Sequence, residues 1–188
     1  MKDFVVSSLK YRPKSFETVI GQNNVTKTLK NSITENKIPS AILFCGPRGV
    51  GKTSCARIYA KEINKSSIDN IDSHDLSFNV FELDAASNRG IEEMKNLIDK
   101  VRVPPQIGKY KVYIIDEVHM LTPQAMNAFL KTLEEPPKHI VFVLATTEKN
   151  KILPTILSRC QIYDFNRINE TEIANALINI CNQENFKF

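Results

Sequence analysis

A glycine-rich segment of eight residues constrains the fold of this 188-residue chain more than any other feature. Residues 46–53 read GPRGVGKT and match the pattern G-x-x-x-x-G-K-[ST] in full. The segment follows the apolar run AILFC (41–45), which predicts a buried strand, and precedes a helical pattern over 52–64. A strand that passes through such a loop into a helix is the context in which the pattern binds phosphate groups. The chain is therefore predicted to bind a nucleotide.

The residues of this loop hold a triphosphate through both backbone and side chains. Gly46, Gly49 and Gly51 allow the backbone to curl so that its N–H groups point at phosphate oxygens. The helix that follows adds the positive end of its dipole. Lys52 is expected to reach the β- and γ-phosphates, and the Thr53 hydroxyl to bind Mg²⁺. The predicted nucleotide-binding residues of the loop are Gly46, Pro47, Arg48, Gly49, Val50, Gly51, Lys52, Thr53 and Ser54.

Short apolar runs alternate with helical patterns along the rest of the chain. Further strands are predicted at 79–85, 111–116, 139–147 and 161–165, helices at 23–38, 52–64, 91–101, 123–134 and 170–183, and a polar loop at 65–75. This alternation predicts an α/β fold whose parallel sheet is covered by helices on both faces. Ligands of such sheets lie beyond the carboxyl ends of the strands, so polar residues at those ends are the first candidates for a site.

Two carboxylates stand at the end of the apolar run VYIIDE (112–117). In a protein with a phosphate-binding loop, Asp116 is expected to hold the Mg²⁺ shell, and Glu117 to orient or deprotonate the attacking water. Kinases and GTPases often lack the second acid, so its presence favours hydrolysis of ATP by water. The structural alternative is a pair of residues that caps a helix at the strand exit.

Two further candidates follow later in the chain. Thr146 and Thr147 end the strand predicted at 139–147, where a hydroxyl could reach the γ-phosphate or the water, although such threonines are also common in turns. Arg159, within LSRC (157–160), has no acidic residue within four positions. It is a candidate for an arginine finger that acts on a neighbouring subunit, and a surface salt bridge is the alternative.

Composition excludes several other classes of protein. The longest apolar run has six residues (140–145), against the ~20 that a membrane span needs, and residues 1–13 lack the apolar stretch of a signal peptide. The four cysteines, at 45, 55, 160 and 181, form no C-x-x-C pair and are typical of reduced thiols. Residues 1–60 hold ten Lys/Arg against three Asp/Glu, which suits a polyanion partner or forms a solvated basic face.

Longer segments resemble the gamma/tau subunits of bacterial DNA polymerase III, which are AAA+ proteins that drive the sliding-clamp loader with ATP. The matching segments are KYRPKSFETVIGQ (10–22), GPRGVGKTSCAR (46–57), ELDAAS (82–87), KVYIIDEVHMLTPQAMNAFLKTLEEPP (111–137) and LATTEKNKILPTILSRCQ (144–161). They cover nearly all of residues 4–165, and SRC after the threonines is typical of clamp loaders among AAA+ proteins. The chain is similar to the N-terminal part of these subunits.

The resemblance implies a fold and a set of site residues. The fold is a P-loop AAA+ domain over 1–166, with a five-stranded parallel sheet in the order 5-1-4-3-2 and helices on both faces, followed at 167–188 by the beginning of a helical lid domain. Thr147 would be the sensor-1 residue, and Arg159 would complete the site of the neighbouring subunit. Arg12, Val19 and Ile20 fall in the segment that would line the adenine pocket, and an N-terminal arm that packs on the domain is the alternative. Asn88 and Arg89 would face DNA in the central channel, and an ordinary helix cap by Asn88 is the alternative.

The resemblance also implies cofactors and partners. The cofactors are ATP and Mg²⁺. The partners are the other loader subunits (delta, delta-prime and further gamma/tau copies), the sliding clamp, primed DNA and, through a longer chain, the polymerase core, with no membrane involved and a cytoplasmic, nucleoid-associated location. Many family members carry a four-cysteine zinc module between the P-loop helix and the second strand. Residues 62–81 contain no cysteine, so we expect no zinc.

Three functions stay open from sequence. The first is an ATPase motor of the loader, which converts ATP to ADP and phosphate within a DNA polymerase holoenzyme without polymerising DNA itself. The second is a non-hydrolysing, delta-prime-like subunit, against which the intact Lys52, Thr53, Asp116 and Glu117 argue. The third is another AAA+ machine on DNA, such as a replication factor C small subunit or a branch-migration motor. FLKTLEEPP (129–137) favours the bacterial loader, and nothing resembles the acceptor site of a small-molecule kinase.

Overall fold

A five-stranded parallel sheet forms the centre of the molecule. The computed structural model describes residues 6–65 and 79–184. The strands are β1 Ala41–Cys45, β2 Val80–Asp84, β3 Lys111–Asp116, β4 Ile140–Thr146 and β5 Gln161–Asp164. They lie in the order β2-β3-β4-β1-β5, and all neighbours pair in parallel. This is the predicted order read from the opposite edge of the sheet, so the predicted fold class is confirmed.

Helices connect the strands and cover the sheet. Within the described residues they are α1 Ser7–Lys10, α2 Asn23–Thr34, α3 Lys52–Lys65, α4 Ile91–Val101, α5 Pro123–Glu134, α6 Pro154–Leu157 and α7 Glu170–Gln183, with short 3₁₀ turns at Phe16–Thr18, Val118–Met120 and Lys149–Lys151. The loop predicted at 65–75 lies, from residue 66 onward, outside the described part. In the described ranges no helix is both long and apolar enough to cross a membrane.

Side-chain caps mark the starts of two helices predicted at 123–134 and 170–183. The Thr122 hydroxyl accepts a hydrogen bond from the N–H of Ala125 at the start of α5, where Pro123 occupies the first turn. The Asn169 side chain accepts one from the N–H of Glu172 at 2.8 Å and starts α7. Both predicted helix starts are confirmed.

The prediction that the first long helix extends to residue 38 was wrong. α2 ends at Thr34, and Asn36 adopts a left-handed conformation with φ of 52°. Asn is one of the few residues other than Gly that tolerate this conformation. The N–H of Lys37 donates to the carbonyl of Ser32 at 2.8 Å and closes the helix end.

Apolar side chains alternate between the two faces of the sheet and build two core layers. Phe44 of β1 lies in the layer beneath α2 and α3, whereas its neighbour Leu43 lies in the layer beneath α4 and α5. In the second layer, the buried rings of Phe129 and Phe142 meet edge to face with their centroids 4.9 Å apart. Helices cover both faces of the sheet, so the strands are accessible at their carboxyl ends.

The register of the sheet brings the strand ends together at this edge. Asp84, at the end of β2, lies beside Asp116 of β3. Cys45, at the end of β1, lies between Thr146 of β4 and Asp164 of β5. The polar strand ends therefore surround the loop that leaves β1, as the parallel topology predicts.

Candidate nucleotide-binding site

The loop between β1 and α3 has the backbone conformation that its glycines permit. Gly46 has a φ of 150°, and a Cβ atom there would lie 2.5 Å from the carbonyl oxygen of Phe165, so no larger residue fits. Gly51 has a φ of 97° immediately before α3 starts at Lys52. The loop thus curls tightly between the end of β5 and the N-terminus of α3.

Lys52 lies at the centre of the loop. Its residue surface is only 6% exposed, and its Nζ donates hydrogen bonds of 2.8 Å to the carbonyls of Gly46 and Pro47. Burial lowers the pKa of Lys52, while the nearby carboxylates of Glu117 and Asp116 act in the opposite direction. The ammonium group is therefore held inside the curl of the loop by two backbone carbonyls.

Thr53 and Asp116 form a direct pair. The Thr53 hydroxyl donates to Oδ2 of Asp116 at 2.6 Å, and Oδ1 of Asp116 accepts from the N–H of Glu117 at 2.9 Å. A hydroxyl and a carboxylate are hard oxygen donors, which suit Mg²⁺. Among the described residues no cluster of three or more His, Cys, Asp or Glu could hold a metal. Mg²⁺ takes one or two protein oxygens when phosphates and water supply its other ligands, so the Thr53 hydroxyl and the Asp116 carboxylate fit this ion.

Glu117 is held in an unusual backbone conformation. Its φ of 49° and ψ of 44° are left-handed, which is uncommon for a residue other than Gly. Its Oε2 accepts hydrogen bonds from the N–H of Thr147 at 3.3 Å and from the Thr147 hydroxyl at 3.0 Å. The structure thus joins two residues that the sequence suggested separately.

The loop and the strand ends open into a cavity of about 870 Å³. Arg12 lines it from the N-terminal arm, which is the described segment before α2, residues 6–22. A second cavity of about 700 Å³ shares Arg12 and is also lined by Val19 and Ile20. Val19 is buried, and its Cγ1 lies 4.0 Å from the point that a Cβ atom on Gly51 would occupy, so the N-terminal arm packs against the loop. Predicted residues that line the first cavity are Arg12, Arg48, Gly49, Gly51, Lys52, Thr53, Ser54, Asp116 and Glu117.

Sequence reasoning missed several residues that line the same cavity. Asp84 is one, and its position at a strand end beside the Asp116 strand could have identified it. Tyr11 of the N-terminal arm and Leu177 and Ile180 of α7 are the others of note. They come from opposite ends of the described chain, so only the tertiary structure brings them together.

Arg159 lies outside this cavity. Its Nη1 donates to the carbonyl of Thr155 at 2.7 Å, and its Nη2 forms a salt bridge with Oε1 of Glu134 at 2.8 Å. About a third of its side-chain surface is exposed. The guanidinium is therefore partly exposed, lies outside the cavity of its own chain and pairs with a carboxylate from α5.

Asn88 and Arg89 are not among the residues that line the cavity, although Asn88 contacts Asp84, which is one of them. The alternative that Asn88 caps α4 is wrong, because Gly90 is the N-cap residue of that helix. Asn88 instead donates through its N–H and its side-chain amide to the carbonyl of Asp84, at 2.9 and 3.2 Å, and holds the turn after β2. Arg89 is exposed, so its proposed contact with DNA stays a prediction.

Comparison with known proteins identifies the family. Residues 21–169 match the family model described as DNA polymerase III, delta subunit. The chain belongs to this DNA polymerase III subunit family. The matched segment runs from just before α2 to the N-cap residue of α7, so it includes the loop and all five strands.

Curated relatives are gamma and tau subunits of the same polymerase. The chain is 48% identical to DNA polymerase III subunit tau of Bacillus subtilis, over 93% of this chain and 33% of that protein. It is 41% identical to subunit tau/gamma of Haemophilus influenzae, over 98% of this chain and 28% of that protein. It is 40% identical to subunit gamma of Buchnera aphidicola, over 99% of this chain and 53% of that protein. The predicted similarity to the N-terminal part of gamma/tau subunits is confirmed, and the chain spans only part of each relative.

Solved structures share the fold. A DNA polymerase III gamma subunit-related protein of Thermotoga maritima is 28% identical with a TM-score of 0.62, over 77% of this chain and 47% of that one. The Holliday junction branch migration motor RuvB of the same organism is 22% identical with a TM-score of 0.72, over 93% of this chain and 55% of that one. The second likeness concerns the fold alone. The fold is the P-loop AAA+ fold, as predicted.

Proposed function

We propose that this protein binds and hydrolyses ATP as a motor subunit of the DNA polymerase III clamp loader, which places the sliding clamp on primed DNA. The observation that supports this most is the hydrogen bond of 2.6 Å between the Thr53 hydroxyl and Oδ2 of Asp116. Both residues line the same cavity as Glu117 and the buried Lys52. These four groups provide phosphate binding, metal binding and water activation within one site. The reaction is the conversion of ATP and water to ADP and phosphate.

Each residue has one part in this mechanism. The loop N–H groups and Lys52 bind the phosphates, and Thr53 with Asp116 would hold Mg²⁺. When bound, Mg²⁺ neutralises charge that develops on the phosphate oxygens. Glu117 orients the attacking water and accepts its proton. Thr147, as sensor 1, holds the Glu117 carboxylate through two hydrogen bonds.

The nucleoside is proposed to lie between the N-terminal arm and α7. Arg12, Val19 and Ile20 line the cavity next to the phosphate loop, where apolar side chains can contact the base. We assign residues 1–166 to the nucleotide-binding domain and 167–188 to the beginning of a helical lid. Leu177, within the proposed lid, lines the phosphate-side cavity, which fits a lid that covers the nucleotide.

Arg159 is proposed to act in the site of a neighbouring subunit. It is separate from the cavity of its own chain and reaches the surface, as a residue that works in trans must. In this chain its charge is balanced by Glu134, so a neighbour's phosphate would compete with that carboxylate for the guanidinium. The partners proposed with it are delta, delta-prime and further gamma/tau subunits, the clamp, primed DNA and the polymerase core, in the cytoplasm.

A non-hydrolysing loader subunit is the second candidate, because the matching family model is described as a delta subunit. Such a subunit needs no residue to activate water. Here Glu117 stands next to the metal-binding candidate Asp116 and is held by Thr147, an arrangement that a purely structural subunit does not require. We therefore favour hydrolysis.

Replacing Lys52 with alanine should weaken binding of Mg-ATP by about 10²-fold or more. A charge-assisted hydrogen bond contributes about 1.5–3 kcal/mol, and Lys52 is expected to make more than one. Titration with a fluorescent ATP analogue measures the effect. Lys61→Ala, which removes the same charge from the same helix outside the cavity, is the control and should bind as the parent does. Equal affinity of all three proteins would contradict the phosphate role of Lys52.

Replacing Arg89 with alanine should weaken DNA stimulation of the ATPase equally for all DNA sequences. A contact with phosphate carries no base information, and losing one contact should lower the slope of log affinity against log salt by about 0.9. The measurement is DNA-stimulated ATPase at several salt concentrations. Arg102→Ala, at the opposite end of α4, is the matched control. Unchanged stimulation and slope in Arg89→Ala would remove Arg89 from the DNA contacts.

A further inference from the structure

His119 lies next to the carboxylate that we assign to water activation, and none of the roles above uses it. Its side chain is only 5% exposed. Its Nδ1 lies 3.0 Å from the hydroxyl of Thr146 and 3.4 Å from Oε2 of Glu117. Its Nε2 lies 3.2 Å from Oε1 of Glu148. Both ring nitrogens of this buried side chain therefore have polar partners.

The hydrogen bonds around Thr146 select one tautomer of this ring. Thr146 is fully buried, and its hydroxyl oxygen already accepts from the N–H of Glu148 at 3.0 Å. Its own proton must be donated, and Nδ1 of His119 is an acceptor at 3.0 Å. The ring then carries its proton on Nε2, which donates to Glu148. Lys151 pairs with the same Glu148 carboxylate and keeps it an acceptor.

This tautomer turns an unprotonated nitrogen toward Glu117. The single lone pair of Nδ1 accepts the Thr146 proton, so Nδ1 has no proton to donate to Oε2 of Glu117, which lies 3.4 Å away. The donors left for Oε2 are the N–H and hydroxyl of Thr147. A ring nitrogen without a proton gives Oε2 no hydrogen bond on this side, so the two hydrogen bonds from Thr147 set the orientation of the carboxylate.

We propose that His119 is a positioning residue that sets the orientation of the Glu117 carboxylate, with Thr146 and Glu148 fixing the ring. This inference rests on the proposed role of Glu117 in hydrolysis. His119 itself touches neither phosphate nor water in this scheme. Its loss should therefore lower the rate of turnover and leave nucleotide binding unchanged.

Two substitutions separate positioning from simple packing. His119→Leu keeps a buried side chain but removes both polar contacts, whereas His119→Asn keeps an acceptor close to the position of Nδ1. His139→Asn is the matched control, because His139 is also partly buried but bonds the Val101 carbonyl at the opposite end of β4. The assay is ATP turnover by the natural full-length subunit in the assembled loader with primed DNA, together with the affinity of the full-length subunit for Mg-ATP.

We expect His119→Leu to lower kcat roughly 10–10²-fold, since a small displacement of a reacting group has effects of that size. The KM for ATP and the affinity for Mg-ATP should stay within twofold of the parent values. His119→Asn should recover part of kcat, and His139→Asn should match the parent. Parent-like kcat in His119→Leu would overturn the inference. A structural role would also overturn the inference. It would be indicated if His119→Leu lowers both kcat and the affinity for Mg-ATP and His119→Asn restores neither.

A second readout does not depend on turnover. Nitrogen-15 NMR of the histidine rings in the full-length subunit should show the Nε2–H tautomer for His119, and Glu117→Gln should shift the His119 signals while leaving those of His139 in place. An Nδ1–H tautomer, or no response to Glu117→Gln, would overturn the inference. If the parent assembly hydrolyses no ATP, the proposed function fails, and the NMR result still decides the contact between His119 and Glu117.

Discussion

Replacing Arg159 with alanine should slow ATP hydrolysis in the adjacent subunit by roughly 10³–10⁵-fold, the range for arginine fingers in GTPases. Binding of ATP by the mutated chain should stay close to normal, because Arg159 lies outside its own cavity and pairs with Glu134. Arg159→Lys should restore little, since an ammonium group lacks the planar fork of the guanidinium.

Mixed assemblies locate the effect of Arg159. One mutated subunit is placed in a ring in which only one site can hydrolyse ATP, and the order of the subunits is fixed by fusion. Turnover should be lost when the mutated chain is the neighbour that faces the active site. Loss of turnover only at the mutated chain's own site would contradict the proposal that Arg159 acts in trans.

Replacing Glu117 with glutamine should preserve Mg-ATP binding and lower turnover by roughly 10²–10⁴-fold. Glutamine has nearly the same shape but cannot accept a proton from water, and general base catalysis contributes on that scale. Asp116 and Thr53, which we assign to the metal, stay unchanged. Single-turnover hydrolysis and equilibrium binding of ATP together measure the two effects.

Glu135→Gln is the matched control for this substitution. Glu135 is exposed at the end of α5 and does not line the cavity. Its substitution is the same chemical change, from a carboxylate to an amide. It should bind and hydrolyse ATP as the parent does. Turnover of Glu117→Gln at the parent rate in the assembled loader would show that another group activates the water.

The main features of the fold could be predicted because local signals and topology agree. The predicted strands differ from the observed strands by no more than one or two residues, because a buried parallel strand requires a run of apolar residues. Thr122 and Asn169 start their helices because their side-chain oxygens accept from backbone N–H groups. The end of α2 was missed because it depends on the left-handed conformation of Asn36, which the sequence permits but does not require.

Part of the candidate site could be predicted because the carboxyl ends of parallel strands meet at one edge of the sheet. Lys52, Asp116 and Glu117 line one cavity at the carboxyl edge of the sheet, and their roles stay predictions. The sequence could not show that Thr147 bonds Glu117, or that Glu134 pairs with Arg159, because each contact joins residues that are distant along the chain. The cavity walls supplied by Tyr11, Leu177 and Ile180 were missed for that reason as well.

The prediction that no zinc is bound rests on the sequence alone. It rests on the lack of cysteine in residues 62–81, and residues 66–78 of that segment lie outside the described part. The contact of Arg89 with DNA likewise depends on an assembly of several chains. Both stay predictions that metal analysis and the DNA-stimulated ATPase assay can test.

Steady-state ATP hydrolysis by the assembled loader, with and without primed DNA and the sliding clamp, tests the central claim most directly. The measurement uses the natural full-length subunit with its partner subunits, and an assembly that carries Glu117→Gln gives the background. We predict slow turnover by the subunit alone and strong stimulation when primed DNA and clamp are both present. Turnover no higher than the Glu117→Gln background in every combination would contradict the proposal that this chain is an ATP-hydrolysing motor of the clamp loader.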